Sequence, residues 1–352
     1  MKSKSKPQKK TQVRTPRQAR AIVIVLLIIL IVAFIVSFTM GKYALTLEDT
    51  LSIISHYLFG TEATYSTASE TVFLQVRLPR LLSCVFVGAA LSTAGAAYQG
   101  IFKNSMVSPD LLGASAGSAF GACCGILMGL SYFGRHVMAF ILGMVAVAIT
   151  YAITSIVSRN ENTTITLILT GMVVTALFNA GVSITKTLAT TDNELGEITF
   201  WLLGSMTKLT FKNLPILLIP VLIGLIPMFL LRYKLNILSF GDEEAKTLGV
   251  NVKALRIIFI ICATLVTSAS VATCGMVGWV GLIIPHLMRM LVGPDYKTLL
   301  PASMIGGALF LMLVDNITRI FFQVEVAIGI LTAIIGAPFF LILLARGRTG
   351  WV

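Results

Sequence analysis

The chain has 352 residues, of which 56% are hydrophobic and 12% charged, and its mean hydropathy is +0.91. A soluble fold of this size would expose a very large apolar surface, so the composition predicts an all-α polytopic membrane protein. The net charge of +12 is uneven, because positions 1–20 hold eight basic residues and no acidic one. Basic residues beside a first span hold that end in the cytoplasm, where they favour anionic lipid headgroups. Because this explains the basic residues, we expect no nucleic-acid partner.

Ten apolar segments approach the length of about 20 residues that a membrane-spanning helix needs. They lie at 21–40, 78–100, 111–131, 137–157, 164–184, 213–231, 254–274, 276–292, 300–320 and 326–345. The predicted organisation is a basic cytoplasmic tail (1–20), one ten-helix domain (21–346) and a second cytoplasmic tail (347–352). Most of the 27 basic residues then fall near cytoplasmic ends. The glycine- and proline-containing segment 276–292 and the short apolar stretch 199–208 are candidates for broken or re-entrant helices.

Glycines recur every fourth residue along the third apolar segment. They are Gly113, Gly117, Gly121, Gly125 and Gly129. This spacing leaves a groove on one face of a helix, where another backbone can approach closely. The pattern predicts helix packing, and lining or moving a translocation path is the alternative interpretation.

A hydrophilic stretch, 239–250, separates two apolar segments and is predicted to form a short helix. Ser239 and Asp242 have the spacing of a mutual N-cap, and Gly249 is expected to end the helix in a left-handed conformation. We expect Asp242 to pair with Lys246, four residues further on. One apolar face at helical spacing comprises Leu238, Gly241, Ala245 and Leu248. This face either folds back on the membrane domain or docks on another protein.

Sequence motifs for catalysis are missing: the chain has no Walker-type phosphate loop, no His-Glu-x-x-His and no Gly-x-Ser-x-Gly. We therefore expect no enzyme activity, no cofactor and no metal site, and the five cysteines are assigned to helix packing. Ion-coupled carriers usually keep a charged group within their spans. The nearest candidates here, Asp315, Arg319 and Glu325, lie near a helix end. Ion-coupled transport is the alternative of another class, and we expect energy to come from a separate protein.

Three arginines lie at predicted outer helix ends. Arg77 and Arg80 flank the start of the second apolar segment, and Arg319 ends the ninth. Arginines at such positions often only extend their charged groups to the membrane interface. Guanidinium groups also bind carboxylates in a bidentate manner, so an acidic extracytoplasmic partner is the other interpretation.

An ordered set of short segments covers the chain from about residue 75 to the C-terminus. They are Arg77-Leu-Pro-Arg80, Gly88-Ala-Ala-Leu91, Gln99-Gly-Ile-Phe-Lys-Asn104, Pro109-Asp-Leu-Leu-Gly-Ala-Ser-Ala-Gly117, Gly241-Asp-Glu-Glu-Ala-Lys-Thr-Leu-Gly-Val250, Gly278-Trp-Val-Gly-Leu-Ile-Ile-Pro-His286, Gly293-Pro-Asp-Tyr-Lys297 and Gly336-Ala-Pro-Phe339. Together they resemble the FecCD/BtuC-like permease family, the membrane subunits of ABC importers for iron–siderophore complexes, haem and cobalamin. Each segment alone is a weak signal, whereas the ordered set is specific.

The resemblance implies a ten-helix subunit in a prokaryotic cell membrane that pairs with a second copy or a paralogue. It also implies two cytoplasmic ABC ATPases, which alone bind ATP and Mg²⁺, and an extracytoplasmic substrate-binding protein. Arg77, Arg80 and Arg319 correspond to arginines that receive acidic residues of the binding protein. Thr163 and Thr164 correspond to the family's inner gate.

By the same resemblance, residues 239–250 match the loop that seats in a groove of the ATPase. The coupling residues implied are Gly241, Asp242, Glu243, Ala245, Leu248 and Gly249. The resemblance thus implies the permease subunit of an importer that takes up an iron(III)–siderophore complex by alternating access. Haem and cobalamin are the alternative cargoes.

Overall fold

The structure is a computed structural model that describes residues 15–43, 45–157, 163–207, 209–322 and 326–347, without the side chains of 163 and 343–347. The α-helices are α1 (Pro16–Ser37), α2 (Leu47–Phe59), α3 (Thr67–Thr71), α4 (Leu78–Ile101), α5 (Ala114–Leu127), α6 (Tyr132–Val157), α7 (Thr163–Leu188), α8 (Asp192–Leu203), α9 (Leu214–Phe240), α10 (Asp242–Thr247), α11 (Val252–Cys274), α12 (Val280–Val292), α13 (Tyr296–Phe321) and α14 (Ile328–Gly347). A π-helical turn precedes α4 and a 3-10 turn precedes α5. No strand occurs in the described ranges.

The helices confirm an all-α polytopic membrane protein. Seven described helices are long and apolar enough to cross a membrane, and α5, α12 and α14 are shorter apolar helices. These ten correspond to the ten predicted segments. Several boundaries were wrong. The helix predicted over 213–231 continues to Phe240, and those predicted over 21–40 and 137–157 begin at Pro16 and Tyr132. The helix predicted over 111–131 ends at Leu127, and the helix predicted over 276–292 begins only at Val280. This last helix starts late because Trp279, with φ +72°, has a left-handed backbone that cannot continue a helix.

The apolar stretch 199–208 is not a broken span. Its first half completes α8, whose N-terminal turn is acidic and capped by the Thr191 hydroxyl. The chain then turns at Gly204, where the Gly204 carbonyl accepts a hydrogen bond from the Ile328 N–H (3.0 Å). Ser205 donates its N–H to the Cys274 carbonyl (2.8 Å). These bonds fix α8 at the end of the bundle where α11 ends and α14 begins.

Helix α4 forms the centre of the bundle through close backbone contacts. A Cβ atom on Gly88 would overlap the Gly307 carbonyl of α13, and a Cβ on Gly95 would overlap the Gly281 carbonyl of α12. Between these contacts, the Ser92 hydroxyl donates to the Ser303 carbonyl at 2.6 Å. Small residues are needed here because no side chain fits between the helices.

Helix α1 begins within the predicted basic tail 1–20 and lies at the edge of the bundle. Thr15 and Gln18 form a capping box, and Pro16 occupies the first helical position. The helix packs on α12 and α13, and most of its apolar side chains are exposed. Residues 1–14 of the tail lie outside the described residues.

We predict that Gly95→Ala destabilises the protein, because the added methyl group would force α4 and α12 apart. Overpacking of this kind costs about 1–3 kcal/mol, so the thermal unfolding midpoint of the purified full chain should fall. Gly196→Ala is the matched control, because no atom lies within 4 Å of a Cβ at this helical position. Equal unfolding midpoints for the two variants would contradict the close contact.

Candidate functional site

One end of the bundle contains a buried charge cluster, formed where α4 begins and α13 ends. The Asp315 side chain is fully buried, and its two carboxylate oxygens pair with Arg80 Nε (2.8 Å) and Arg319 Nε (2.9 Å). Asp315 and Arg319 are four residues apart on α13 and share a helix face. Two predicted docking arginines are therefore bound to one internal carboxylate.

Arg77 has a different environment from the other two arginines. It is 4% exposed, and its guanidinium donates hydrogen bonds to the carbonyls of Phe38 and of Tyr43 (2.5 Å). Gly41 allows this contact, since a Cβ there would lie 3.1 Å from Arg77 Nη2. The Arg77 side chain thus holds the turn that follows α1.

Arg319 also binds the end of α1. Its Nη1 donates to the Met40 carbonyl at 2.9 Å, and its Nη2 donates to the Asn316 side-chain oxygen. The Asn316 amide in turn donates to the Ser37 hydroxyl (2.7 Å). The ends of α1 and α13 are therefore joined by side-chain hydrogen bonds.

The three arginines meet at an open cleft of about 350 Å³. Arg77, Arg80, Arg319 and Lys42 all contribute to its lining. Among the described residues that line the cleft or pair with its lining, four are basic and one, Asp315, is acidic. The cleft is suited to carboxylates presented by another molecule.

The short helix α10 lies at the opposite end of the bundle, beside the end of α4 and the start of α11. The Asp242 carboxylate accepts a hydrogen bond from Arg256 Nη2 (3.0 Å) and lies 3.5 Å from Lys103 Nζ. The predicted pairing of Asp242 with Lys246 is wrong: Lys246 Nζ lies 2.7 Å from Glu243 Oε1. This hydrogen bond raises the pKa of Lys246. Asp242 therefore joins α10 to two neighbouring segments.

The boundaries of α10 differ in part from those predicted. The Ser239 cap is wrong, because α9 continues to Phe240 and the Ser239 hydroxyl donates to the Asn236 carbonyl (2.6 Å). The predicted stop at Gly249 is confirmed, with φ +74°. The N–H groups of Gly249 and Val250 donate to the carbonyls of Lys246 and Ala245 at 2.9 and 3.0 Å, which is a Schellman motif.

The single apolar face predicted for 239–250 is also wrong. Leu238 and Ala245 are buried in the chain's own core, whereas Leu248 is 63% exposed. Phe240, which sequence reasoning missed, is 72% exposed. The feature of the sequence that could have identified Phe240 is that it is a large aromatic residue at the edge of a hydrophilic stretch. We name Phe240, Glu243, Lys246 and Leu248 the α10 surface.

The glycine repeat packs within the subunit. Cβ atoms on Gly117 and Gly121 would collide with the Leu142 carbonyl and with Ala139 of α6, and a Cβ on Gly125 would lie 3.1 Å from Arg135 Cα. Gly113 precedes the first residue of α5 with φ +89°. Gly129 lies beyond the last residue of α5, so it is not part of the helix face.

The predicted inner gate lies at the start of α7. Thr163 is the first residue of the helix, and its side chain lies outside the described residues, as do residues 158–162. Thr164 is half-buried. The structure therefore places both threonines at the α10 end of the bundle and leaves the turn before them undescribed.

Helix α7 exposes a polar stripe that sequence reasoning missed. Asn179, Ser183 and Thr187 are exposed at four-residue intervals, and Lys186 beside Thr187 is half-exposed. The hydroxyls of Ser183 and Thr187 donate to carbonyls one turn back, at 3.1 and 3.0 Å. An amide facing lipid is costly, so this face suits a water-filled path or a second subunit. The four-residue spacing was the available signal.

These sites lie on one scaffold of apolar helices, and the scaffold matches a known family. A model of the FecCD transport family matches residues 29–346. The chain belongs to this family. The resemblance inferred from the ordered segments is confirmed, and this FecCD protein is a multi-pass permease subunit of an ABC importer.

Relatives of this FecCD protein have different named cargoes. The molybdate import system permease protein MolB of Haemophilus influenzae is 37% identical over 90% of this chain and 93% of its own. A probable iron chelatin transport system permease protein of Helicobacter pylori is 33% identical over 89% of this chain and 95% of its own. A solved structure, an inward-facing conformation of a metal-chelate type ABC transporter, is 36% identical, with a TM-score of 0.83 over 93% of this chain and 99% of that chain.

We predict that Asp315→Asn destabilises the protein by about 3–5 kcal/mol, because it leaves two poorly exposed guanidinium groups without their shared carboxylate. The free energy of unfolding of the purified full chain measures this effect. Glu243→Gln is the control, since it removes the exposed ion pair with Lys246 and should leave stability unchanged. Equal stability of the two variants would show that Asp315 does not balance the arginines.

Proposed function

We propose that this chain is the permease subunit of an importer for an iron(III)–siderophore complex and works by alternating access. The observation that carries this assignment is the exposed face of α7, where the neutral groups Asn179, Ser183 and Thr187 repeat every fourth residue and the one basic residue, the half-exposed Lys186, lies in the last turn. A path lined mainly by neutral groups would hold a bulky chelate weakly and leave affinity to a binding protein. The Helicobacter relative and the metal-chelate type structure support a chelated metal as cargo.

A second candidate cargo is molybdate, because the Haemophilus relative named for it is 37% identical over nearly the whole length. Haem and cobalamin are the remaining alternatives within the family. Against molybdate, the described stripe offers a small dianion one amide and two hydroxyls, and Lys186, the basic residue of α7, lies only in the last turn of the helix. The neutral stripe on α7 therefore favours the chelate.

We assign the partners to three surfaces. A second permease subunit, either a copy or a paralogue, would face the polar stripe of α7 from the other side of the path. An extracytoplasmic binding protein would place carboxylates in the cleft of Arg80 and Arg319. Two ATPases, which would hold ATP and Mg²⁺, would bind the assembly, one of them at the α10 surface of this chain. Both chain termini are then cytoplasmic, since α1 begins and α14 ends at the α10 end of the bundle.

The proposed coupling path begins at α10. Movement of α10 by the ATPase would pull on Asp242, which is bound to Arg256 of α11 and lies near Lys103 after α4. Helix α4 leads from Lys103 to Arg80 at the opposite end. Because α4 contacts α12 and α13 backbone to backbone, we expect these helices to move as one body.

The cargo is tested by co-expressing this chain with its ATPase and binding protein and measuring ligand-stimulated ATP hydrolysis. We expect a ferric siderophore to stimulate hydrolysis, and molybdate, haem and cobalamin to have no effect. Stimulation by molybdate instead would overturn the chelate assignment and leave the importer assignment intact. If vesicles that lack the ATPase still take up the ligand, and an uncoupler abolishes this uptake, ion-coupled transport is favoured.

We predict that Leu248→Glu detaches the ATPase, because it places a charge in the centre of the exposed α10 surface. Loss of an apolar anchor residue should reduce co-purification of the ATPase about tenfold or more. Leu58→Glu on α2 is the control, since Leu58 is as exposed and lies at the other end of the bundle. An unchanged yield of ATPase with the Leu248 variant would place the ATPase elsewhere.

A further inference from the structure

An apolar groove runs along the side of the bundle, between α1 and α9, and has α4 and α13 as its floor. Its volume is about 460 Å³. Leu27 and Leu30 line it on α1, Ile226 and Phe229 line it on α9, and Met304 lies on the floor. The lining is almost entirely hydrocarbon.

The groove is a fixed feature of the fold. Its floor is rigid, because Gly88 of α4 and Gly307 of α13 are in backbone contact. Both walls pack on α13, while α1 also packs on α12 and α9 also packs on α4 and α11. Leu27 on one wall and Ile226 on the other are about half exposed, so the groove is open towards the hydrocarbon of the bilayer.

The length of the groove along the helices equals the thickness of the hydrocarbon in one membrane leaflet. Leu222, at its far end, is ten residues from Arg232, which corresponds to about 15 Å along a helix. This length is half of the hydrocarbon core, which is about 30 Å thick. The groove thus begins at the membrane surface near Arg232 and ends near the bilayer centre.

Arg232 lies at the surface end of the groove and touches its wall. Its guanidinium carbon is 4.0 Å from the centre of the Phe229 ring, and its Nη1 donates to the Phe229 carbonyl at 2.5 Å. Its Nε donates to the carbonyl of Lys297, the second residue of α13, at 3.3 Å. The guanidinium is thereby held above the apolar lining.

Two more basic residues lie at the same height on the other helices. Arg20 of α1 is ten residues before Leu30, and Lys297 of α13 is eleven residues before Ala308, so both are about 15 Å from the far end. The nearby carboxylate of Asp295 is engaged by the Lys297 N–H (2.9 Å) and the Asn236 amide (2.7 Å). Positive charge therefore dominates the surface end of the groove.

We propose that this groove binds an anionic phospholipid, with an acyl chain along the apolar lining and the phosphate at Arg232. The apolar lining matches the hydrocarbon of an acyl chain. The Arg232 guanidinium, with its basic neighbours, matches the negative charge of the phosphate. A second copy of this protein is a poor occupant. In a two-fold interface each patch faces itself, which would place Arg20, Arg232 and Lys297 against their own copies.

The headgroup preference is tested on the full chain in nanodiscs of phosphatidylcholine and phosphatidylglycerol with identical acyl chains, by native mass spectrometry of the retained lipid. We expect phosphatidylglycerol to be enriched, and Arg232→Gln to lower that enrichment about fivefold. Lys212→Gln is the matched control, because Lys212 is exposed just before the other end of α9. Equal losses in both variants, or no retained lipid in the unmodified chain, would overturn the proposal.

The acyl-chain site is tested separately with two tryptophan variants on α9. Ile226 is 54% exposed and lines the groove, whereas Ile223 is 59% exposed and lies outside it. Ile226→Trp should abolish lipid retention, and Ile223→Trp should leave it unchanged. If both variants retain the lipid, the groove is not the lipid site. A change of oligomeric state in the Ile226 variant would identify a second copy as the occupant.

Discussion

Helix α4 is in direct backbone contact with α12 and α13, and the other features of the subunit depend on this contact. Within a bilayer the hydrophobic effect does not drive helices together, because lipid tails are as apolar as leucine side chains. Close contact at Gly88 and Gly95 instead stabilises the helix pairs through dispersion attraction between their atoms. It also permits the hydrogen bond between Ser92 and Ser303. The same contact positions both charged ends: Arg80 beside Asp315, and Lys103 beside Asp242.

The two ends of the bundle use charge in different ways. At the cleft, Asp315 is buried between two arginines, so an incoming carboxylate would join an existing ion pair and would not meet isolated cations. At the α10 end, Asp242 is partly exposed and joins three chain segments. A buried pair is rigid and an exposed network can rearrange. This difference suits docking at one end and movement at the other.

Sequence reasoning identified the residues of the candidate sites better than their contacts. The arginines at 77, 80 and 319 do meet at one cleft, yet Asp315, the carboxylate that Arg80 and Arg319 share, is 235 positions from Arg80 in sequence and was considered only as a charge at a helix end. The pairing of Asp242 with Lys246 followed from helical spacing, but Arg256 and Lys103 lie closer in space. Local spacing cannot rank a neighbour on the same helix against one on another helix.

Composition and periodicity by themselves determined that the chain is a helical membrane protein with ten apolar helices, because the length and hydropathy of a span are local properties. The left-handed stop at Gly249 was local in the same sense. Only the tertiary structure decided which faces are covered: it buried Ala245 and Arg77, exposed Phe240, and opened the groove between α1 and α9. These outcomes depend on how helices far apart in sequence lie beside one another, which no local pattern encodes.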